Sequence, residues 1–197
     1  MTNEKTISWD TLTNALTVCR RCPLCEKRTN VVIGMGNKNA DIMFVGEAPG
    51  YYEDLEGLPF VGRAGQLLDK MLAAIGFDRE KVYIANIIKC RPPENRDPEP
   101  YEQESCLTYL KYQIMLVKPK IICCLGRISA KRIINENFRI TADRGVWHER
   151  NGFYMIATFH PSALLRDESL KRPAWEDFKS IKRKYEEWKL SAPVLSR

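Results

Sequence analysis

Four short apolar runs alternate with amphipathic helical patterns along this chain, and that alternation constrains the fold more than any other feature. Each run is rich in Val, Ile, Phe or Tyr and ends near Gly, Pro or a polar residue, as buried strands do. The runs are 41–46, 81–89, 120–126 and 153–161. Helical patterns occupy 64–77, 98–117 and 128–135, and near the C-terminus Trp175, Phe178, Ile181, Tyr185 and Trp188 recur at helical spacing. We expect an α/β fold, a three-layer α/β/α sandwich around a central, mostly parallel four-stranded sheet.

The length of 197 residues suits one domain with its own core. We expect residues 1–197 to form a single domain, with an N-terminal helix within 1–18, an Asp97 N-cap before helix 98–117, and a flexible tail at 190–197. The polar start MTNEKTISWD lacks the apolar run of a signal peptide, and no stretch is long enough to span a membrane. These features predict a soluble, cytoplasmic protein without a membrane partner.

Seven cysteines in a protein expected in a reducing compartment indicate metal binding, catalysis or packing rather than disulfides. Cys123 and Cys124 lie inside an apolar run and are expected to be packed in the core. Five candidates then remain for a four-ligand site: Cys19, Cys22, Cys25, Cys90 and Cys106. Two local and two distant thiolates suit zinc or an iron–sulfur cluster, and the alternative is that these thiols bind nothing.

Polar residues lie at or just after the end of each predicted strand, at the edge of the sheet where α/β proteins bind ligands. They are the segment Gly46–Gly50, Asn86 with Lys89 and Cys90, Gly126 with Arg127, and His160 with Ser162. An apolar core does not require such residues, so the sequence predicts a site at this edge. The formal net charge of +6 is compatible with a nucleic acid, with another anion, or with neither.

Three segments, GEAPGYYEDLEGLPFVGRAGQLL (46–68), NIIKCRPPENRDPEP (86–100) and FHPSALLR (159–166), closely resemble the family-4 uracil-DNA glycosylases. This is the bacterial and archaeal branch that carries a 4Fe–4S cluster, and the match runs from about Cys19 to Trp188. The resemblance implies cluster ligands Cys19, Cys22, Cys90 and Cys106. Cys25 has no counterpart among the family's ligands, although Cys22 and Cys25 also form a CxxC pair, so the shifted pair stays open.

The resemblance further implies a monofunctional hydrolase of DNA repair that flips uracil out of DNA and cleaves its N-glycosidic bond, leaving an abasic site. An amide such as that of Asn86 can pair with uracil, and a neutral His160 can donate to the departing base. The implied catalytic residues are Glu47, His160 and Asp54; the substrate-binding residues are Gly46, Ala48, Glu53, Phe60 and Asn86; the DNA-binding residues are Ser162, Leu164, Leu165 and Arg166. Better-studied family-1 enzymes position water with an aspartate where this chain has Ala48 and Pro49, so the water-activating residue stays open.

Each of these residues also has a structural interpretation. Asn86 can cap or edge a sheet, Phe60 can be core, Glu53 and Asp54 can lie in a solvated loop, and the leucines of 162–166 can begin a helix. Competing functions are a glycosylase for another deaminated base, an iron–sulfur-stabilised DNA-binding protein without activity, and an electron carrier. We expect a monomer that acts on uracil in single- or double-stranded DNA and meets replication or repair proteins. Covalent capture of DNA is not expected, because the segment DESLKRPAW after 159–166 contains no histidine.

Overall fold

The computed structural model describes residues 7–191 and contains one six-stranded sheet. The strands are β1 (Met35–Gly36), β2 (Ile42–Gly46), β3 (Val82–Asn86), β4 (Ile121–Leu125), β5 (His148–Arg150) and β6 (Phe153–Thr158). Their order across the sheet is β1-β3-β2-β4-β6-β5. The four central strands are parallel, and β1 and β5 add antiparallel pairs at the two edges. The prediction of a mostly parallel α/β sheet is confirmed, but the predicted number of four strands is wrong.

Side chains of the central strands alternate between two apolar clusters, one on each face of the sheet. Met43 and Val45 of β2 belong to one cluster, whereas Phe44 belongs to the other. Burial on both faces explains why these strands read as continuous apolar runs rather than alternating patterns. Cys124 and Cys123 point into opposite clusters and are fully buried, as expected for packing thiols.

Eight α-helices of the described residues flank this sheet. They are α1 (Trp9–Thr17), α2 (Tyr51–Glu56), α3 (Arg63–Ala74), α4 (Pro100–Val117), α5 (Arg127–Ile133), α6 (Ile140–Asp143), α7 (Pro161–Arg166) and α8 (Lys171–Ser191). Helix α1 begins after Ser8, whose side chain accepts a hydrogen bond from the Thr11 N–H. The rest of the predicted N-terminal helix in 1–6 and the predicted tail beyond Ser191 lie outside the described residues.

Helix α4 begins later than the sequence predicts, and Asp97 does not cap it. Its N-cap is Glu99, whose backbone N–H donates to Glu102 at 2.7 Å. Glu102 also accepts two hydrogen bonds from Arg96, which fastens the proline-rich loop between β3 and α4. Asp97 turns away from the helix and pairs with Arg127 at 2.5 Å.

Across residues 7–191, no helix combines the length and apolar character needed to cross a membrane. The longest helix, α8, is strongly charged along its outer face and buries Phe178 and Ile181 against the sheet.

Candidate active site

A cavity of about 490 Å³ opens at the carboxyl ends of the parallel strands, in the size range of ligand-binding pockets. Chain order also reverses here, since β3 lies on one side of β2 and β4 on the other. Such a switch point is where α/β sheets bind ligands. Among the residues that line it are Glu47, Ala48, Pro49, Gly50, Glu53, Phe60, Asn86, Asn95, Asp97, Arg127, His160, Ser162 and Arg166.

Gly46 ends β2 and lets two other side chains approach the strand. A Cβ atom at this position would collide with Oδ1 of Asn86 and with the ring of Phe60. Glycine therefore supplies the space in which the amide and the aromatic ring meet. Ala48, two residues later, lines the cavity with a small side chain.

Asn86 ends β3 and points a polar group into this crowded space. The residue is 2% exposed, and its Oδ1 is buried without a hydrogen-bond partner among the described residues. Buried polar atoms normally have partners, because an unpaired one costs about 1–3 kcal/mol. An unpaired amide beside a cavity indicates a ligand that completes it.

Phe60 is held in a strained backbone conformation beside Asn86. Its φ is +55°, a region that bulky residues rarely adopt. Arg79 stabilises this turn by donating to the carbonyls of Phe60 and Pro59, while Asp69 binds the same guanidinium at 2.7 Å. The ring lies 5.5 Å from that of His160, at an interplanar angle of 31°. Strain that the surroundings maintain at a cavity is typical of functional sites.

His160 follows β6 and precedes α7, and its hydrogen bonds determine its tautomer. Nδ1 accepts from the Ser162 backbone N–H at 3.2 Å and lies 2.8 Å from the Ser162 hydroxyl. The neutral ring therefore carries its proton on Nε2. Burial, reinforced by the nearby charge of Arg166, lowers the pKa of His160 to about 4, so the imidazole is neutral near pH 7 and can donate from Nε2.

Glu47 follows Gly46, and its carboxyl group lines the cavity with a raised pKa. Burial raises the pKa of Glu47 to about 7. The carboxylate of Asp97 adds to the increase, and the guanidinium groups of Arg127 and Arg166 oppose it. Glu47 therefore exchanges a proton near neutral pH, as groups at active sites often do.

Glu53 lines the cavity, and its carboxylate hydrogen-bonds to the backbone of the surrounding loop. It accepts hydrogen bonds from the backbone N–H groups of Gly50, Val61 and Gly62, at 3.0 to 3.1 Å. These contacts tie the two halves of segment 46–62 together, which places Phe60 over Asn86.

Asp54 does not reach the cavity, contrary to its predicted catalytic placement. It is 4% exposed, and its carboxylate accepts hydrogen bonds from the Thr29 and Asn30 backbone N–H groups. Because those donors lie on the segment after the cysteine motif, Asp54 joins that segment to α2. The structure indicates a structural role for Asp54.

Helix α7 divides its predicted DNA-binding residues between two environments. Ser162 and Arg166 line the cavity, and Leu165 is 40% exposed beside it on the same helix. Leu164 is 1% exposed and packs with Phe159 and Ala174. The core position of the Leu164 side chain does not favour the predicted contact with DNA.

Asp97 and Arg127 line the cavity, although neither is among the predicted catalytic, substrate-binding or DNA-binding residues. Asp97 comes from the proline-rich loop, and Arg127 follows β4 directly. The pair acts on the Glu47 pKa from opposite directions. The only sequence signal was Arg127's position immediately after a strand.

A second pocket collects five cysteines on the other side of the β3 end. Cys19, Cys22, Cys25, Cys90 and Cys106 all line it. Cys19 and Cys22 pack against the apolar cluster that contains Cys90 and Cys106. Cys25 lines the same pocket but does not pack against that cluster.

Positive groups surround these thiols. Nη1 of Arg28 donates to Sγ of Cys90 at 3.1 Å. Burial lowers the pKa of Lys89, and the nearby thiols of Cys106 and Cys90 oppose that decrease. Within residues 7–191, no three His, Cys, Asp or Glu side chains converge as ligands of a single ion would. A set of cysteine thiols is chemically suited to an iron–sulfur cluster and to a zinc ion.

Comparison with known proteins agrees with this geometry. A family model described as the Uracil DNA glycosylase superfamily matches residues 33–179. A type-4 uracil-DNA glycosylase of Archaeoglobus fulgidus is 46% identical over 88% of this chain and 92% of its own length. Those of Sulfurisphaera tokodaii and Thermotoga maritima are 49% and 46% identical; each alignment covers 83% of this chain, and 79% and 88% of the relatives.

Proposed function

This chain belongs to the type-4 branch of the uracil-DNA glycosylase superfamily, and we propose that it reads and excises uracil in the cavity at the strand ends. Uracil-DNA glycosylase activity, a hydrolysis in DNA repair, is the function that the relatives share. The observation that carries the proposal is the unpartnered Oδ1 of Asn86 beside Phe60 and His160.

Asn86 is proposed to read the base. Its amide NH₂ donates to uracil O4 and its Oδ1 accepts from uracil N3–H. Cytosine presents an amine and an unprotonated nitrogen at these positions, so both contacts become mismatches. Sites built for such hydrogen bonds reject an analogue by large factors because their buried polar groups stay unpaired.

Phe60 is proposed to stack on the base, and Glu53 to limit the space beside it. The Arg79 contacts fix the Phe60 backbone before the base enters. The three N–H contacts of Glu53 fix the loop wall; in the family, this position faces the place of thymine's methyl group. A rigid slot of this kind recognises a flat pyrimidine at a small entropic cost.

His160 and Glu47 are proposed to stabilise opposite charges of the reaction. As the N-glycosidic bond breaks, its electron pair leaves with uracil, and the sugar becomes cationic. Nε2–H of His160 donates to uracil O2, which carries the developing negative charge. The Glu47 carboxylate stabilises the sugar cation or orients the water whose oxygen forms the new bond to the sugar. One proton of that water stays in the new sugar hydroxyl and the other passes to Glu47 or solvent; the uracil anion takes up a proton from solvent, which leaves free uracil and an abasic site.

Ser162, Leu165 and Arg166 are proposed to contact DNA around the flipped nucleotide. Arg166 lines the cavity and supplies a positive charge for a phosphate. The exposed Leu165 is placed to occupy the gap left in the base stack. Uracil-containing DNA, single- or double-stranded, is the proposed partner, and we expect the protein to act as a monomer.

Cys19, Cys22, Cys90 and Cys106 are proposed to hold a 4Fe–4S cluster. The packing of these thiols into one apolar cluster, without Cys25, supports this set over the shifted pair. When bound, such a cluster supplies folding energy by joining the N-terminal segment to the β3–α4 loop. We also infer that the chain is a single domain with three layers, supported by core clusters on both faces of one sheet.

Uracil release from oligonucleotides tests the base-reading proposal. Asn86→Ala should abolish measurable uracil release, while Asn14→Ala, which changes an exposed asparagine on α1, should leave it at the wild-type rate. Release of hypoxanthine rather than uracil by the wild-type protein would favour a different deaminated base. DNA binding without release of any base would favour a silent binding protein.

A panel of single cysteine-to-serine variants tests the cluster ligands. Serine at positions 19, 22, 90 or 106 should lower iron and sulfide content and the broad visible absorption, whereas Cys25→Ser should keep them. Retention of iron in the Cys19 variant together with its loss in the Cys25 variant would establish the shifted pair instead.

A further inference from the structure

Helix α2 exposes an aromatic patch that the base-reading site does not use. Tyr51 and Tyr52 are 51% and 59% exposed, and Leu55 on the same six-residue helix is 46% exposed. The two rings meet edge to face, with centroids 5.4 Å apart and an interplanar angle of 79°. Adjacent exposed aromatic side chains commonly mark an interaction surface.

This patch is continuous with the rim of the cavity. Pro49 and Gly50, which directly precede Tyr51, line the cavity. The guanidinium group of Arg91 lies over the Tyr51 ring at 5.0 Å, and its Nε donates to Asn95 at 2.8 Å. Asn95 also lines the cavity. Aromatic ring, guanidinium and cavity therefore form one surface, which we call the stacking rim (Tyr51, Tyr52 and Arg91).

The chemistry of the stacking rim suits an unpaired nucleobase. Exposed aromatic faces stack on bases of any sequence, and an arginine beside them adds cation–π and phosphate contacts. Within the described part of the chain, Arg91 forms no ion pair, so its charge is available to a phosphate. A protein partner is less well matched. Stable protein interfaces cover about 800 Å² on each side, whereas the exposed patch on α2 consists only of Tyr51, Tyr52 and Leu55 among the described residues.

We propose that the stacking rim binds an unpaired base adjacent to the flipped uracil, and that the enzyme therefore binds single-stranded DNA more tightly than duplex DNA. The proposal rests on the proposed function, because it requires the flipped uracil to occupy the cavity next to the rim. In a duplex the bases beside the uracil remain paired and stacked within the helix. In a single strand their faces are free, so only that substrate can use Tyr51 and Tyr52.

Variants of the rim and defined oligonucleotides test this. The double variant Tyr51→Ala/Tyr52→Ala removes both rings, and Tyr51→Phe/Tyr52→Phe keeps them without the hydroxyl groups. Tyr101→Ala changes another exposed tyrosine, on α4 and outside the cavity lining, and is the matched control. The probes are a uracil-free single strand, a single strand with 2-aminopurine next to uracil, and the duplex of each.

The double alanine variant should bind the uracil-free single strand at least about fivefold more weakly, with duplex affinity changed by less than about twofold. The phenylalanine variant and Tyr101→Ala should bind like the wild type. In the wild type, stacking should quench the 2-aminopurine, and the alanine variant should lose that quenching. Thermal unfolding of the two rim variants should match the wild type, since the changed side chains are exposed; Tyr101→Ala also loses the hydrogen bond from its hydroxyl to the Arg21 carbonyl.

Equal loss of affinity for single strands and duplexes would overturn the proposal, and so would a phenylalanine variant as weak as the alanine variant. Unchanged single-strand binding, together with dimerisation of the wild type alone, would assign the patch to a second copy of the chain instead. If the wild type releases no uracil, the proposed function fails independently, since the uracil-free probe still reports binding at the rim.

Discussion

Glu47 should control the acid side of the pH–rate profile. Burial raises its pKa to about 7, Asp97 adds to the increase, and Arg127 and Arg166 oppose it. The proposed role requires the ionised form, because only a carboxylate stabilises a cationic sugar or accepts a proton from water. The rate of uracil release should therefore fall as pH decreases through 7.

The size of the effect follows from the ionised fraction. With a pKa of about 7, roughly half of Glu47 is ionised at pH 7 and about 1% at pH 5, so the rate should fall about 50-fold. A glutamate at its ordinary value of 4.5 would still be about three-quarters ionised at pH 5. His160, with a pKa of about 4, would be only about one-tenth protonated there, so its titration accounts for little of the decrease.

Two neighbouring substitutions should move this pH dependence in opposite directions. Asp97→Asn removes a negative charge near Glu47 and releases Arg127 from its ion pair, so the Glu47 pKa and the acid limb should move to lower pH. Arg166→Gln removes a positive charge, and the acid limb should move to higher pH. Glu149→Gln, which changes an exposed glutamate on β5, is the control and should leave the profile unchanged.

Uracil release at sub-saturating DNA, measured from pH 5 to 8.5, gives kcat/KM and so reports the pKa values of the free enzyme, to which the Glu47 value refers. The Glu47→Gln variant should be slow and should lack the acid limb. A wild-type rate that is constant from pH 5 to 8, or an Asp97→Asn limb displaced to higher pH, would refute the assignment of Glu47 and its charged neighbours.

Three further substitutions test other parts of the molecule. His160→Ala should lower the single-turnover rate about 100- to 1,000-fold, the cost of losing one donor to a developing oxyanion, with little change in DNA affinity. Asp54→Asn should lower the unfolding free energy by about 1–3 kcal/mol, because its amide replaces a carboxylate that accepts backbone N–H bonds. The folded variant should still release uracil at nearly the wild-type rate. A large loss of rate would instead indicate that Asp54 takes part in catalysis. Lys89→Met should leave the Asn86 carbonyl and the Gln113 side chain without their donor, lowering the melting temperature and the iron content together.

The sequence predicts the central strands well because burial on both faces leaves a strong local signal. All five residues of β2, of β3 and of β4 are buried, and each run reads as apolar. The edge strands β1 and β5 have only two and three residues, mostly exposed. They form because a neighbouring strand offers backbone hydrogen bonds. Their own residues show no alternating pattern from which a strand could be predicted.

The sequence locates those site residues that stand at the end of a predicted strand. Asn86 and His160 follow strands that the sequence identifies, so their convergence follows from parallel topology. The position of Asp54 outside the cavity lining could not be predicted in this way. Its partners, Thr29 and Asn30, lie 24 to 25 residues away, and sequence spacing does not reveal backbone donors at that range. Leu164 and Leu165 are adjacent, and only the packing of α7 decides which is buried.

The end of β3 explains how the two pockets depend on each other. Asn86 faces the active-site cavity and Cys90 faces the cysteine pocket, and Lys89 between them is 1% exposed. Its ammonium group donates to the Asn86 carbonyl at 2.8 Å and to Gln113 at 2.5 Å. Gln113 in turn donates to the Ile33 carbonyl and to Tyr83.

Burial lowers the Lys89 pKa to about 8, and the neighbouring thiols Cys106 and Cys90 oppose that decrease. A buried cation is tolerated only where negative charge or hydrogen bonds compensate it. Thiolates held at the cysteine pocket would provide that charge, so occupation of one pocket stabilises the lysine that holds the backbone of the base reader in the other. Lys89 therefore links the backbone of Asn86 to the cysteine pocket.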